Sequence, residues 1–244
     1  MVGFFGGAPA MRGLIWAALV AALGGAAQAQ DVQTWALSGT VGGHPVGAEL
    51  TVAGNNRFDG GHYFYVSQLK DIPLTGSETG ATLTLNEPGG GVFHLTLQGG
   101  ADFGAASALT GVWTLGSQTL PVTLSLDSAR SGAGGAQMYA DVTSDSDAVF
   151  EAKVRKFLSA VLTGNKAVAA TTVSYPLAVN GAHPLTVKTA AQLQADWSRI
   201  FTPALIAQLK TAVPHDMFVH NGQAMVANGA AWFDAKGAAA LNPP

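Results

Sequence analysis

The chain has 244 residues, a formal net charge of −3 and no cysteine, and charged residues make up 11% of it against about a quarter in an average domain. With 31 glycines, this composition argues for β structure joined by small-residue turns and against a disordered or coiled-coil chain. The twelve basic residues are scattered, so the clustered cationic footprint that nucleic-acid binding needs is missing. The lack of cysteine excludes a disulfide scaffold, a thiolate zinc site, a thiol nucleophile and an acylated lipoprotein N-terminus.

The first segment reads as a targeting signal. Arg12 is the only early charge, Leu14 to Leu23 is an apolar run too short to span a bilayer, and Ala27-Gln28-Ala29 has the small-x-small form of a cleavage site. Residues 1–29 are therefore expected to be a signal peptide, with Met11 a better-placed start than Met1 and a mature N-terminus at Gln30. The mature protein is expected in the periplasm or outside the cell, and not as a membrane-spanning chain. About 215 residues remain, enough to bury a core without cross-links.

From Trp35 to Leu126, apolar residues alternate with polar ones and glycine-rich breaks recur. Eight short strands are expected over 34–41, 46–53, 61–67, 71–74, 81–87, 91–97, 109–115 and 120–126, a spacing that means a sandwich or barrel. Leu83 and Leu85 alternate with Thr82, Thr84 and Asn86, giving one dry and one wet face. Because Gly42-Gly43, Gly89-Gly90-Gly91 and Gly99-Gly100 are hairpin breaks, the strands form an antiparallel meander, and a barrel or curled sheet best removes exposed edges.

Gly61-His62-Tyr63-Phe64-Tyr65, Ile72-Pro73-Leu74-Thr75-Gly76, Leu83 to Glu87, Gly91-Val92-Phe93, and Leu109 to Trp113 followed by Leu120-Pro121-Val122 carry a resemblance. Over 32–128 the chain resembles an all-β module, marked by G-x-Y-x-Y and G-x-W, of exported bacterial proteins of unknown function. The G-x-W strand is also similar in architecture to avidin-like and lipocalin-like barrels, a likeness of fold that implies no activity.

Residues 129–147 lack a hydrophobic period and read as a linker between a 30–128 domain and a 148–235 domain, with 236–244 as a tail. Asp145 or Asp147 then caps a helix in which Phe150, Val154, Phe157, Leu158, Val161 and Leu162 form one apolar face, ended by Gly164. A β-branched strand over 168–179 follows, in which Pro176 marks an edge or a bulge. Asn180-Gly181 turns into a short strand over 183–188. Thr189 caps a second helix and Thr202-Pro203 opens a third, which Pro214 stops. Asn221-Gly222 is a hairpin turn, and a last strand covers 230–234. Helices covering one face of a curved sheet make this half α+β.

Tyr175-Pro176-Leu177 with Asn180-Gly181, Ile200-Phe201-Thr202-Pro203, Phe218 to Gly222, and Asn228-Gly229 with Ala231-Trp232-Phe233 resemble the nuclear-transport-factor-2-like (NTF2-like, cystatin-like cone) superfamily over 148–235. The resemblance implies a pocket between sheet and helices. Aromatic residues would line it, making Tyr175, Trp197, Arg199 and Trp232 the expected ligand contacts, with Arg199 offering a forked donor or pairing with Asp196 or Asp216.

No catalytic signature accompanies these elements. His215-Asp216 followed by His220 is the densest group of acid–base side chains, but it lacks the helical spacing that would present two imidazoles to one metal, so neither a metal nor a cofactor is expected. His62, Tyr63, Tyr65 and Trp113 are secondary candidates on the β domain, and His94 shares that character. His44 and His183 precede prolines and are expected in exposed turns. Glu49 and Glu87 are the carboxylates a glycosidase would use, but each falls where a wet strand face is expected. No G-x-S-x-G elbow and no phosphate loop occurs. The expected function is a non-enzymatic binding protein, its partner a small molecule or a cell-envelope protein or glycan; the alternative is a hydrolase-type enzyme with its site in the C-terminal cone. The cleavage motif sets a first test: intact mass of protein recovered from the periplasm or medium should correspond to a chain beginning at Gln30, and a mass retaining Leu14 to Leu23 would refute it.

Overall fold

The computed structural model describes residues 32–132 and 137–244. The expected signal peptide, the start at Gln30 and residues 133–136 lie outside them. The first unit contains β1 (Gln33–Val41), β2 (His44–Ala53), β3 (Arg57–Tyr65), β4 (Ile72–Thr79), β5 (Thr82–Asn86), β6 (Val92–Gln98), β7 (Ala108–Leu115) and β8 (Gln118–Ser131). Each strand pairs antiparallel with the next, and β8 returns to β1, closing an eight-stranded barrel with no free edge. Closure depends on a close approach: a Cβ on Gly39 would lie 1.9 Å from the Thr123 carbonyl oxygen on β8.

The alternation expected from the sequence is what fills the barrel. Leu83, Leu85, Phe93, Leu95 and Leu109 point inward and are buried, while Thr82, His94 and Thr96 face solvent. An inner void of about 10 Å³, lined by apolar residues including Val41, Leu50 and Leu95, is at the limit of what one water needs. The interior is a core and offers no room for a ligand. β8 runs on to Ser131, opposite Gln33, so residues 129–131 of the expected linker belong to the barrel wall.

The second unit contains α1 (Asp147–Leu162), α2 (Lys166–Ala170), β9 (Val173–Val179), β10 (Leu185–Val187), α3 (Ala190–Ala195), α4 (Trp197–Ile200), α5 (Pro203–Leu209), β11 (Phe218–His220), β12 (Gln223–Val226), β13 (Ala231–Asp234) and β14 (Gly237–Leu241). Its strands form one sheet in the order β10-β9-β14-β13-β12-β11. Phe150, Val154 and Phe157 of α1, Leu193 of α3 and Leu205 of α5 share a core with Leu177, Phe233 and Leu241 of the sheet. Thr189 and Thr202 cap α3 and α5 through their side-chain oxygens, as expected.

Three local expectations change. Residues 168–170 are helical because the Asn165 side chain accepts a bond from the Val168 amide at 3.1 Å and starts α2, which β-branching alone did not reveal. β9 is an interior strand, parallel to β14, so the edge alternative for Pro176 falls and the bulge alternative holds: Pro176 sits where the register jumps from Val173 to Ala178, and no ladder bond needs its missing N–H. The expected tail becomes β14, between β9 and β13, with Ala238 and Leu241 fully buried. Small apolar residues next to a Pro-Pro end do not look like a strand, but they fit between two neighbours that leave little room. Among the described residues no helix is long and apolar enough to cross a membrane. A chain ending at Ala235 should lose hydrogen-exchange protection across β9 and β13, and unchanged protection there would show that β14 is dispensable.

Candidate functional site

The densest polar chemistry lies where the barrel meets the second unit. From Val46 to Val52, β2 is buried on both faces, because its outward side, together with β3, is covered by the loop between α5 and β11. Gly47 leaves room for the ring of Phe64, whose Cζ lies 2.3 Å from where a Cβ would stand. That ring meets the His215 imidazole edge to face at a centroid distance of 4.5 Å. Asp216 has a left-handed backbone, φ 48°, so His215 and Asp216 turn toward the same wall instead of alternating as they would in a strand.

A continuous network results. His62 Nε2 lies 2.7 Å from Asp216 Oδ2 and 3.4 Å from Asp71 Oδ1. His215 Nε2 lies 2.8 Å from the same Asp71 oxygen and 3.9 Å from Asp216 Oδ1, while its Nδ1 lies 2.9 Å from Glu151 Oε2. Glu151 also accepts from the Tyr139 hydroxyl at 3.0 Å and pairs with Arg155 at 3.3 Å. The Tyr139 hydroxyl in turn accepts from the Met217 amide, so the turn before α1 ties down the loop that carries the histidine. Glu49 is held by Arg130 at 2.9 Å.

Burial and charge shift these groups in a common direction. Burial pushes the Glu49 carboxyl up, the nearby Asp216 charge adds to this, and Arg130 and His62 offset part of it, leaving it at about 7. Burial works against the charged form of His215, but the hydrogen bonds to Glu151 and Asp71 and the carboxylate charges outweigh it and raise it to about 9. His62 is raised on the same grounds, with burial opposed by Asp216, Asp71 and Glu49. Two overlapping triads, Glu49 with His62 and Asp216, and Asp71 with His215 and Asp216, bring ligand atoms within 4.8 Å of one another.

The fold brings together only some of the residues singled out from the sequence. His215, Asp216 and His62 meet. His220 is separate, on the exposed edge strand β11 beside Phe218. Tyr175 and Trp197 pack on the helix side of the second core; the Tyr175 hydroxyl donates to the Ala170 carbonyl, and Trp197 lies 4.3 Å from Phe201 between ring centroids. Trp232 points the other way, since Ala231 and Phe233 on either side take the inward positions of β13. The four expected ligand contacts therefore do not share one cavity, and Arg199 is exposed on α4 with no ion pair to Asp196 or Asp216 among the described residues. In the barrel, Tyr63 and Trp113 are interior, Tyr63 donating to Glu87 at 2.5 Å and packing against Tyr65, while the buried Trp113 N–H finds no partner among the described residues. Glu49, expected on a wet face, is 3% exposed because the second unit covers it.

Asp71, Glu151, Tyr139 and Arg130 were not legible as site residues. Glu151 left a trace: it precedes Val154 by three and Leu158 by seven, on the flank of the apolar stripe of α1. The others are joined only by tertiary structure.

A second feature lies on the sheet face away from the helices. Asn180, His220, Asn221, Gln223, Trp232 and Asn242 line an open groove of about 260 Å³. The Asn221-Gly222 turn, with both residues at positive φ, sets His220 opposite Gln223 on this face. The Trp232 N–H donates to the Gly229 carbonyl at 3.1 Å, which leaves the ring as its contribution.

No protein-family model matches the chain, and it has no match among curated proteins or solved structures.

The pKa directions set a pH dependence. His215 and His62 bind their protons more tightly folded than unfolded, so their contribution is complete below about 6.5 and is lost as pH rises through about 9 for His215. Glu49 adds the same sign between 4.5 and about 7, since ionising it where it is buried disfavours the fold. The melting temperature of the metal-free chain should fall steadily from pH 6 to 9.5, and His215→Ala should flatten the upper part of that profile. An unchanged profile in the variant would remove His215 as its source.

Proposed function

We propose that this is an exported, non-enzymatic binding protein, in which the barrel is a scaffold and the second unit, an NTF2-like cone, binds a small polar ligand of the carbohydrate class. The observation that carries this reading is the groove beside Trp232. An indole face is a platform for the C–H side of a sugar ring, and the Asn221 and Gln223 amides both donate and accept, which suits hydroxyls that do the same, while Asn180 donates to Asn242 and Asn242 to the Gly229 carbonyl. The groove is open along one side, so one or two rings can lie across it. Helices packed on one sheet face alone support the cone reading. The filled barrel supports its role as scaffold.

The hydrolase alternative draws on His215 and Asp216, but these meet at the junction with the barrel, away from Tyr175 and His220. A cone-centred catalytic cavity has no support from that arrangement. Titration calorimetry against a panel of envelope-type oligosaccharides tests the proposal. Trp232→Ala should weaken the best binder by about 2 kcal/mol, roughly 30-fold, with little change in melting temperature because Trp232, unlike Trp197, is not packed against the second core. Trp197→Ala should do the reverse, lowering stability on the order of 1–3 kcal/mol and leaving affinity intact. Equal affinity of the Trp232 variant and the parent would refute the site.

A further inference from the structure

We infer that the junction between barrel and second unit is a binding site for a divalent transition-metal ion of the zinc class, held by His62 and Asp71 from the barrel and His215 and Asp216 from the loop after α5. Donors bound to one tetrahedral zinc at about 2.0–2.1 Å lie roughly 3.3 Å from one another. The four imidazole–carboxylate pairs among these ligands are 2.7, 2.8, 3.4 and 3.9 Å apart, a spread centred near that edge length. One Asp71 oxygen faces both imidazoles, 3.4 Å from His62 and 2.8 Å from His215, and so is a donor common to them. Asp216 is common to both donor triads, Oδ2 facing His62 and Oδ1 facing His215.

The surroundings add a separate argument. Metal-bound imidazoles as a rule place their other ring nitrogen against a carboxylate or carbonyl that fixes the ring and its tautomer. His215 does so: its Nδ1 lies 2.9 Å from Glu151, a carboxylate 5% exposed and itself held by the Tyr139 hydroxyl and Arg155. Glu49, anchored by Arg130, stands beside His62 and Asp216 as a further carboxylate of the site. Asp71 is half exposed and gives the ion a path from solvent, while His62, His215 and Asp216 are largely covered.

The donor set defines the ion. Two imidazoles with carboxylates suit Zn²⁺, Co²⁺ or Ni²⁺, whereas Ca²⁺ and Mg²⁺ take oxygen donors almost alone. Since each unit contributes one histidine and one aspartate, a bound ion would clamp the two together. That consequence is independent of any ligand in the groove beside Trp232.

The test uses the full chain, stripped with a chelator and exchanged into metal-free buffer. Added Zn²⁺ should bind in calorimetry and raise the melting temperature by several degrees, Co²⁺ should bind with visible absorption bands of a nitrogen- and oxygen-ligated ion, and Ca²⁺ and Mg²⁺ should do neither. Asp216→Asn and His62→Gln, which keep the shape of the junction, should weaken Zn²⁺ binding at least 100-fold. Glu151→Gln should weaken it about 10- to 100-fold and alter the Co²⁺ spectrum. His44→Gln and His183→Gln, both exposed and remote from the junction, should change nothing. Absence of Zn²⁺ binding by the folded parent, or binding that survives Asp216→Asn and His62→Gln but is lost in the His44 or His183 variant, would overturn the inference and leave the junction an ion-pair network alone.

Discussion

A barrel strand whose outward face is dry must find a partner for every polar group on that face, and β2 is such a strand. Its inward residues, Val46, Ala48, Leu50 and Val52, belong to the barrel core, while Gly47, Glu49 and Thr51 look outward into the second unit. An ionised carboxylate at Glu49 would be costly there without compensation, and Arg130 on β8 together with His62 on β3 supplies it. The same wall offers Phe64 to the His215 ring, so apolar contact and charge pairing work on adjacent positions. The placement of the loop after α5, and hence of His215 and Asp216, depends on this covered wall.

A buried ion-pair network is weak ground for stability, since desolvation takes back much of the Coulomb gain. What such a network does well is select one arrangement of the parts, because any shift leaves charges unpaired in a place water does not reach. Here Tyr139, Glu151 and His215 are linked in a chain from the turn before α1 to the barrel loop at Asp71. The fully buried Tyr139 therefore acts as a strut between segments that the sequence separates as linker and domain. Its hydroxyl pKa lies well above the ordinary phenol value, through burial first and the neighbouring Glu151 charge second, so it stays neutral and continues to donate.

The two units divide the protein's chemistry. Apart from Phe64 on the outer wall, the barrel packs its aromatic residues on its own core, where Tyr63 and Phe93 meet edge to face at 5.1 Å and fill the cross-section. The second sheet turns one face to its helices, and the other carries Trp232, Met225 and Phe218 beside the amides of the groove.

Local pattern determined a great deal. Period-two alternation and glycine breaks placed all eight barrel strands within a few residues, and hydroxyl caps at Thr189 and Thr202 placed two helices, because these signals act between neighbours in sequence. The asparagine–glycine turn at 221–222 was legible for the same reason. Closure of the barrel, the conversion of the C-terminal residues into an inner strand, and the burial of Glu49 and Glu151 were decided only in three dimensions, since each depends on what lies across a gap of tens of residues. The junction shows the limit most clearly. Spacing set His215 and Asp216 apart from any helical metal motif; His62 stood out only as a candidate of the β domain, and nothing joined it or Asp71 to groups 154 and 144 residues away. Sequence patterns report which face of an element is dry, but which two dry faces meet is a property of the assembled core.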